Sequence, residues 1–251
     1  MLFEKYRKLY AQAFVPIFVQ DVFDTDTLIE GCKLAGLDCV EYTLRREDAN
    51  KVIPTLKDRF GGLVFVGSTI DCDDIVLQMK EKNPQLMTVA ELAPFVDGFV
   101  SMLPYSEKTL EKYRATHLMI PTAQTGGEAL FQMAHGATFI KVCGPDFSFS
   151  KSLHAAPTFN YCPTFITGGV NTERMEEAYS CGNVLTAAGF DLILKGEDAK
   201  TLTPERVCEK LLYFVNTAKN ARNTVFPQLA GIENASDEEF KKLVPNYISV
   251  L

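Results

Sequence analysis

Lys141 lies within Phe139–Cys143, FIKVC, part of a stretch, ATFIKVCGPDF, that turns at Gly144-Pro145. An apolar run closed by Gly-Pro reads as a buried strand ending in a turn. Strand alternation puts Phe139, Lys141 and Cys143 on one face and Ile140 and Val142 on the other. A lysine held in an apolar wall can act as a nucleophile. Its neutral amine adds to a carbonyl, loses water and forms an iminium ion that draws electrons from the adjacent carbon–carbon bond. Such an amine needs an apolar pocket or a neighbouring cation, and Phe139 and Arg45 are candidates for these parts. The competing reading is a strand-end lysine whose ammonium reaches solvent.

Glu41 is the second unusual charge, inside the apolar run Asp38–Tyr42 (DCVEY). A carboxylate beside an imine-forming lysine can shuttle protons during dehydration and at the reacting carbon. The competing reading is an ion pair with Arg45 or Lys141. Arg45 can clamp a substrate carboxylate in bidentate fashion, helped by a hydroxyl such as Thr69; adjacent arginines in TLRRE are also often simply solvated. Gly168-Gly169 can bare backbone N–H groups toward an anion, although a plain tight turn explains them equally, as it does Gly126-Gly127. Gly189 closes another apolar run.

The chain has 251 residues, 47% of them hydrophobic and 23% charged, a balance that suits one large globular core. A net charge of −7 argues against nucleic acid as the main partner. No run is long enough to span a membrane, and the charged N-terminus does not read as a signal peptide. The seven cysteines lack metal-ligand spacing and read as reduced core thiols, Cys39, Cys143 and Cys162 among them, of a cytoplasmic protein. His117, His135 and His154 are dispersed, so no metal site is expected, and no nucleotide-binding glycine loop is present.

The elements needed to position these residues follow from periodicity. A short amphipathic helix carrying Leu2, Phe3, Tyr6, Leu9 and Tyr10 opens the chain. Candidate strands follow at 14–19, 38–42, 63–66, 98–101, 117–120, 137–147, 162–166 and 184–188. Helices are expected between most of them: one capped at Asp24 or Thr25, one over 47–59 that Pro54 should kink or split, and one capped by Asp71. Others start at Ser106, at a Thr125/Glu128 capping box and at Asn171 or Thr172. Residues 85–96 admit either a short strand or a short helix. Thr203-Pro204 starts a strong helix with a Val207, Leu211, Phe214, Val215 and Ala218 stripe, and Ser236 with Glu239 starts a last one ending near Pro245. Continuous apolar strands alternating with helices imply a parallel sheet covered on both faces. A (β/α)8 TIM barrel is the simplest closure, with a doubly wound open sheet as the alternative. The expected organisation is one domain over residues 1–251, with 195–251 a helical C-terminal extension.

Glu41-Tyr42-Thr43-Leu44-Arg45, the Phe139-Ile140-Lys141-Val142 strand and Cys162-Pro163-Thr164 leading to Thr167-Gly168-Gly169-Val170 together resemble the KDPG/KHG aldolases. These class I aldolases cleave 2-keto-3-deoxy-6-phosphogluconate or 4-hydroxy-2-oxoglutarate to pyruvate and an aldehyde. The family pattern is E-x-T-L-R, a strand lysine in F-K-F-F-P, C-P-T-G-G-I and a final G-G-S, in an order matched over about Phe14 to Leu194. The resemblance implies a Schiff-base role for Lys141 and an acid/base role for Glu41. It implies pyruvate-carboxylate binding by Arg45 and Thr69, and distal phosphate binding by Gly168, Gly169 and the region of Gly189. It further implies a homotrimer acting on a small 2-oxo acid without a cofactor. The sequence departs from the pattern in several places: Val142-Cys143-Gly144 replaces Phe-Phe after the lysine, Phe190 stands at the serine of G-G-S, and Ser101-Met102-Leu103-Pro104 replaces a Ser-Pro motif. Phe165-Ile166 is inserted before the glycine pair, and the tail is longer. These departures motivate the alternative of an altered barrel that binds a sugar acid or related phosphate without aldol cleavage.

Overall fold

The computed structural model describes residues 1–144, 146–156 and 162–244. Pro145 and Pro245, expected to end a strand and a helix, lie outside them. Eight parallel strands alternate with helices in a nearly closed (β/α)8 barrel. The strands are β1 (Phe14–Phe18), β2 (Cys39–Thr43), β3 (Leu63–Thr69), β4 (Gly98–Ser101), β5 (Leu118–Ile120), β6 (Ile140–Cys143), β7 (Thr164–Thr167) and β8 (Leu185–Gly189). Pairing runs β5-β4-β3-β2-β1-β8-β7-β6. The seam between β5 and β6 is spanned just beyond the end of β5, where a parallel bridge joins Thr122 to Lys141 and the Lys141 N–H donates to the Pro121 carbonyl at 2.8 Å. The open-sheet alternative is therefore set aside.

Alternation along the strands sorts the side chains. Val15, Ile17, Cys39, Leu63, Phe65, Phe139, Phe165 and Leu185 pack together inside the barrel. Phe14, Phe18, Val40, Tyr42, Val64, Val66 and Val142 face outward into the layer of helices. Glu41 follows Cys39 by two residues and Lys141 follows Phe139 by two, so the same period aims both charges inward.

Helices α1 (Leu2–Gln12), α2 (Thr25–Leu34), α3 (Ala49–Phe60), α4 (Asp73–Met79), α5 (Val89–Leu92), α6 (Glu107–Tyr113), α7 (Gly126–Ala134), α8 (Ser148–Ala155), α9 (Met175–Ser180) and α10 (Phe190–Ile193) accompany the strands. The Thr125/Glu128 capping box is formed, as is the Asp24 cap. Helix α3 runs unbroken through Pro54, contrary to the expected split. Pro54 lies in its second turn, where it removes a single bond to Asn50, and buried Ile53, Leu56 and Phe60 hold the helix on both sides. Asp71 does not cap α4. Its carboxylate instead accepts from the Ser106 N–H at 2.6 Å and the Thr109 hydroxyl at 2.6 Å. Residues 85–96 hold the short helix α5 and a 3-10 turn at Ala93–Phe95.

Helix α11 (Pro204–Val225) packs chiefly against α2 and α9, the helices that follow β1 and β7. It therefore fills the eighth place in the helical ring, and the expected C-terminal extension is helical. The true addition begins after it, with 3-10 turns at Pro227–Leu229 and Ile232–Asn234 and helix α12 (Asp237–Leu243). Leu229, Ile232 and Phe240 meet Tyr6, Leu9 and Tyr10 of α1 and close the N-terminal end of the barrel. Phe139 stacks on Tyr6 there, with ring centroids 4.9 Å apart. The bottom of the barrel is thus plugged with aromatic rings, and the open end is the one onto which Lys141 and Glu41 face.

Candidate active site

A cleft of about 260 Å³ opens at the C-terminal ends of the strands. In a barrel this is the end where chemistry resides, because loop sequences there vary without disturbing the strands. Lys141 and Glu41 line it, and so do Arg45, Gly168, Gly169 and Gly189. These residues come from strand ends far apart in sequence and converge because the barrel closes. Thr69 is not among the lining residues. Its hydroxyl is committed to the Val100 carbonyl at 3.1 Å and the Tyr105 hydroxyl at 2.5 Å. The pairing of β3 and β4 shifts between Val66 and Thr69, and Ser68, with φ of 61°, lines the cleft in its place.

Lys141 is 5% exposed and Glu41 2% exposed. Among the described residues neither forms an ion pair within 4.0 Å. The Lys141 ammonium position is 3.2 Å from Met102 Sδ, on the loop after β4. Among the described residues Glu41 Oε2 has no hydrogen-bond partner. Burial pushes the Glu41 carboxyl above its usual range, and the charge of Lys141 opposes this only in part. A buried, unpaired carboxyl of this kind is poised to carry a proton rather than to hold an ion pair.

Space for that carboxyl is made by Gly67. A Cβ built on Gly67 would lie 2.0 Å from Glu41 Oε1 and 3.0 Å from Thr43 Cγ2. Gly67 faces Thr43 in the β2–β3 pairing, so a glycine on the neighbouring strand provides the notch into which the Glu41 side chain folds. The dipeptides that follow β2 divide their work. Arg46 is buried, bonded to Asp48 and to the Thr25 hydroxyl, whereas Arg45 is exposed and makes no ion pair with a described residue. Of the two arginines in TLRRE, Arg45 is the one left to meet a ligand.

Gly168 and Gly169 both have positive φ, 85° and 71°, and a Cβ on Gly168 would come to 3.4 Å from the Gly144 N. The turn after β7 therefore needs glycine for its own backbone and for its approach to the end of β6. The Gly144 N–H donates to the Thr167 carbonyl at 3.1 Å and ties the two loops. Cys143, expected in the core, is exposed at the cleft, because as the last residue of β6 on the Lys141 face it lies at the barrel mouth. Cys39 and Cys162 are buried as expected. Ser68, at the end of an apolar run in the sequence, is a strand-end candidate that does line the cleft, whereas nothing in the sequence marks Met102, Gly67 or Asp191 as parts of the site.

No family model matches the chain, and no curated protein matches it. Solved structures do. A 2-keto-3-deoxy-6-phosphogluconate aldolase from Zymomonas mobilis is 16% identical with a TM-score of 0.61, over 84% of this chain and 95% of that one. A KDPG aldolase from Legionella pneumophila, captured with pyruvate as a covalent carbinolamine intermediate, is 17% identical with a TM-score of 0.61, over 83% and 97%. A thiamine phosphate pyrophosphorylase from Pyrococcus furiosus is also similar, at 13% identity and a TM-score of 0.52 over 82% and 98%. At these identities the likeness is one of fold: this chain is a TIM-like barrel of the shape found in KDPG and KHG aldolases, with a cleft at the end where barrel enzymes work.

Proposed function

We propose that the protein is a class I aldolase that cleaves a 2-keto-3-deoxy sugar acid, or 4-hydroxy-2-oxoglutarate, to pyruvate and an aldehyde. The observation that carries the proposal is the pair of buried groups, Lys141 and Glu41, without an ion pair among the described residues and opening into one cleft from separate strands. The Lys141 amine adds to the C2 carbonyl, and loss of water from the carbinolamine gives an iminium ion. Removal of the proton from the C4 hydroxyl breaks the C3–C4 bond. The bonding electrons pass into the iminium to form an enamine, and the aldehyde leaves. Protonation at C3 and hydrolysis then release pyruvate and restore the amine. Glu41 supplies and accepts these protons, which suits a carboxyl pushed up by burial. Arg45, exposed at the cleft and without an ionic partner among the described residues, binds the carboxylate of the 2-oxo acid. A small-molecule substrate in a cytoplasmic homotrimer fits this reading.

The engagement of Thr69 by Val100 and Tyr105 favours a second reading, a barrel that binds a sugar acid without cleaving it. A pyruvate-release screen across 2-keto-3-deoxy acids and 4-hydroxy-2-oxoglutarate separates the two. Release from at least one compound, abolished in Lys141→Ala and Glu41→Gln, is expected of the aldolase. Binding to the protein with no release from any compound contradicts it and leaves the binder.

A further inference from the structure

The cleft is charged unevenly. Lys141 and Glu41 lie deep in it, and Arg45 stands after β2. The segments ending β7 and β8 contribute Thr167 to Val170, Ala187 to Gly189 of β8 and Leu192 of α10, and the one charged side chain they bring to the lining is Asp191. Arg174, behind the Gly168-Gly169 turn, does not line the cleft; its guanidinium is held by Glu177 at 3.0 Å and by the Gly169 carbonyl at 3.4 Å.

Asp191 is seated by the backbone. A Cβ on Gly189 would lie 2.2 Å from Asp191 Oδ1, so the carboxylate folds back into the space that glycine leaves open. It makes no hydrogen bond or ion pair with any described residue. Phe190, between the two, turns away and packs on Phe18 with ring centroids 4.8 Å apart. Gly189 pairs with Ile17, and Ile17 with Glu41, so Asp191 follows the strand end that lies in register with Glu41. It lines the same cleft as Lys141 from a different strand end. A 2-oxo acid joined to Lys141 and extended toward the end of β8 therefore presents its far carbons to a carboxylate.

We propose that this end of the cleft selects an uncharged, hydroxylated tail, with Asp191 as the residue that discriminates against phosphate or carboxylate. The inference rests on the reading of the cleft as a 2-oxo acid site and names its substrate class as non-phosphorylated sugar acids. An ionised carboxylate accepts hydrogen bonds from sugar hydroxyls and donates none, so it rewards a polyol and repels an anion at the same place. Discrimination by a misplaced like charge is a common route to specificity.

The test uses gluconate and 6-phosphogluconate, which lack a 2-oxo group and bind without forming an imine. Equilibrium titration of the wild-type protein should show gluconate bound at least as tightly as its phosphate. Asp191→Asn and Asp191→Ser should tighten 6-phosphogluconate on the order of tenfold and leave gluconate within about threefold. Tighter phosphate binding in the wild type, no response to either substitution, or no binding of either compound overturns the proposal. Trapping of pyruvate on Lys141 with borohydride is run on the same preparations. A missing adduct with the Asp191 effect intact removes the imine reading alone, and an adduct with no Asp191 effect removes the present one alone.

Discussion

Substituting Gly67 by Ala isolates the role of the Glu41 seat. The new methyl carbon would stand 2.0 Å from Glu41 Oε1. Ordinary contact requires the carboxylate oxygen to retreat by on the order of 1 Å, and a displacement of that size in a catalytic group costs about 10²-fold in rate. That is roughly 2.7 kcal/mol of transition-state stabilisation. The fold should lose far less. Gly67 does not occupy the positive-φ region, the clashing atom ends a flexible side chain, and Gly-to-Ala within a strand otherwise favours folding by about 0.5–1 kcal/mol. Initial rates of pyruvate formation and thermal unfolding are measured on the same samples. The expected result is kcat reduced about 10²-fold with Tm within a few degrees of wild type. In a Glu41→Gln background the same change should cost little more, since the group it displaces no longer transfers protons. Wild-type kcat in Gly67→Ala, or a full additional loss in the double variant, would refute the reasoning.

Other consequences follow from burial and hydrogen bonding. Because burial raises the Glu41 carboxyl, the folded state holds its proton at pH values where the unfolded chain, with a carboxyl near 4.3, has released it; stability therefore falls as pH rises past about 4.3. Glu41→Gln should raise the unfolding midpoint at neutral pH, with the difference vanishing below about pH 4, as read by denaturant melts across pH. His154 behaves oppositely: burial pulls its pKa down to about 4, and it bonds to the Thr164 hydroxyl at 3.0 Å. Its share of stability, roughly 3 kcal/mol, should be present above about pH 6.5 and lost toward pH 4, and His154→Gln should flatten that slope in the same melts. Thr69→Val should cost about 1 kcal/mol of stability from its buried hydrogen bonds while leaving KM within twofold, and a tenfold rise in KM would return Thr69 to the substrate. Iodoacetamide should label exposed Cys143 before buried Cys39 and Cys162, and pyruvate should slow the labelling.

The eight-strand alternation was legible because strands buried on both faces leave long apolar runs, and a charge within such a run stands out. Lys141 and Glu41 were visible for that reason, and the period of two correctly put Phe139, Lys141 and Cys143 on one face. Pairing between distant strands was not legible. The notch at Gly67 exists only because β3 lies beside β2 in a particular register, and the Gly189 notch depends on how Asp191 folds back. The shift between β3 and β4 that turns Thr69 inward to Tyr105 and brings Ser68 to the cleft leaves no mark in a local pattern. Pro54 does not split its helix because a propensity for breaking helices yields to the burial of Ile53, Leu56 and Phe60. Helix α8 was missed between β6 and β7, since Ser150 and Leu153 are its only buried described residues and give a weak stripe. Asp71 looked like a cap, yet its partners lie on another helix start 35 residues away.

The central claim is that Lys141 forms an imine with a 2-oxo acid. Incubation with pyruvate and borohydride, followed by peptide mass mapping, tests it directly. A single reduced pyruvate adduct on Lys141, absent from Lys141→Arg, is the expected result. No adduct under conditions that trap a known class I aldolase, or an adduct on another lysine, would contradict it.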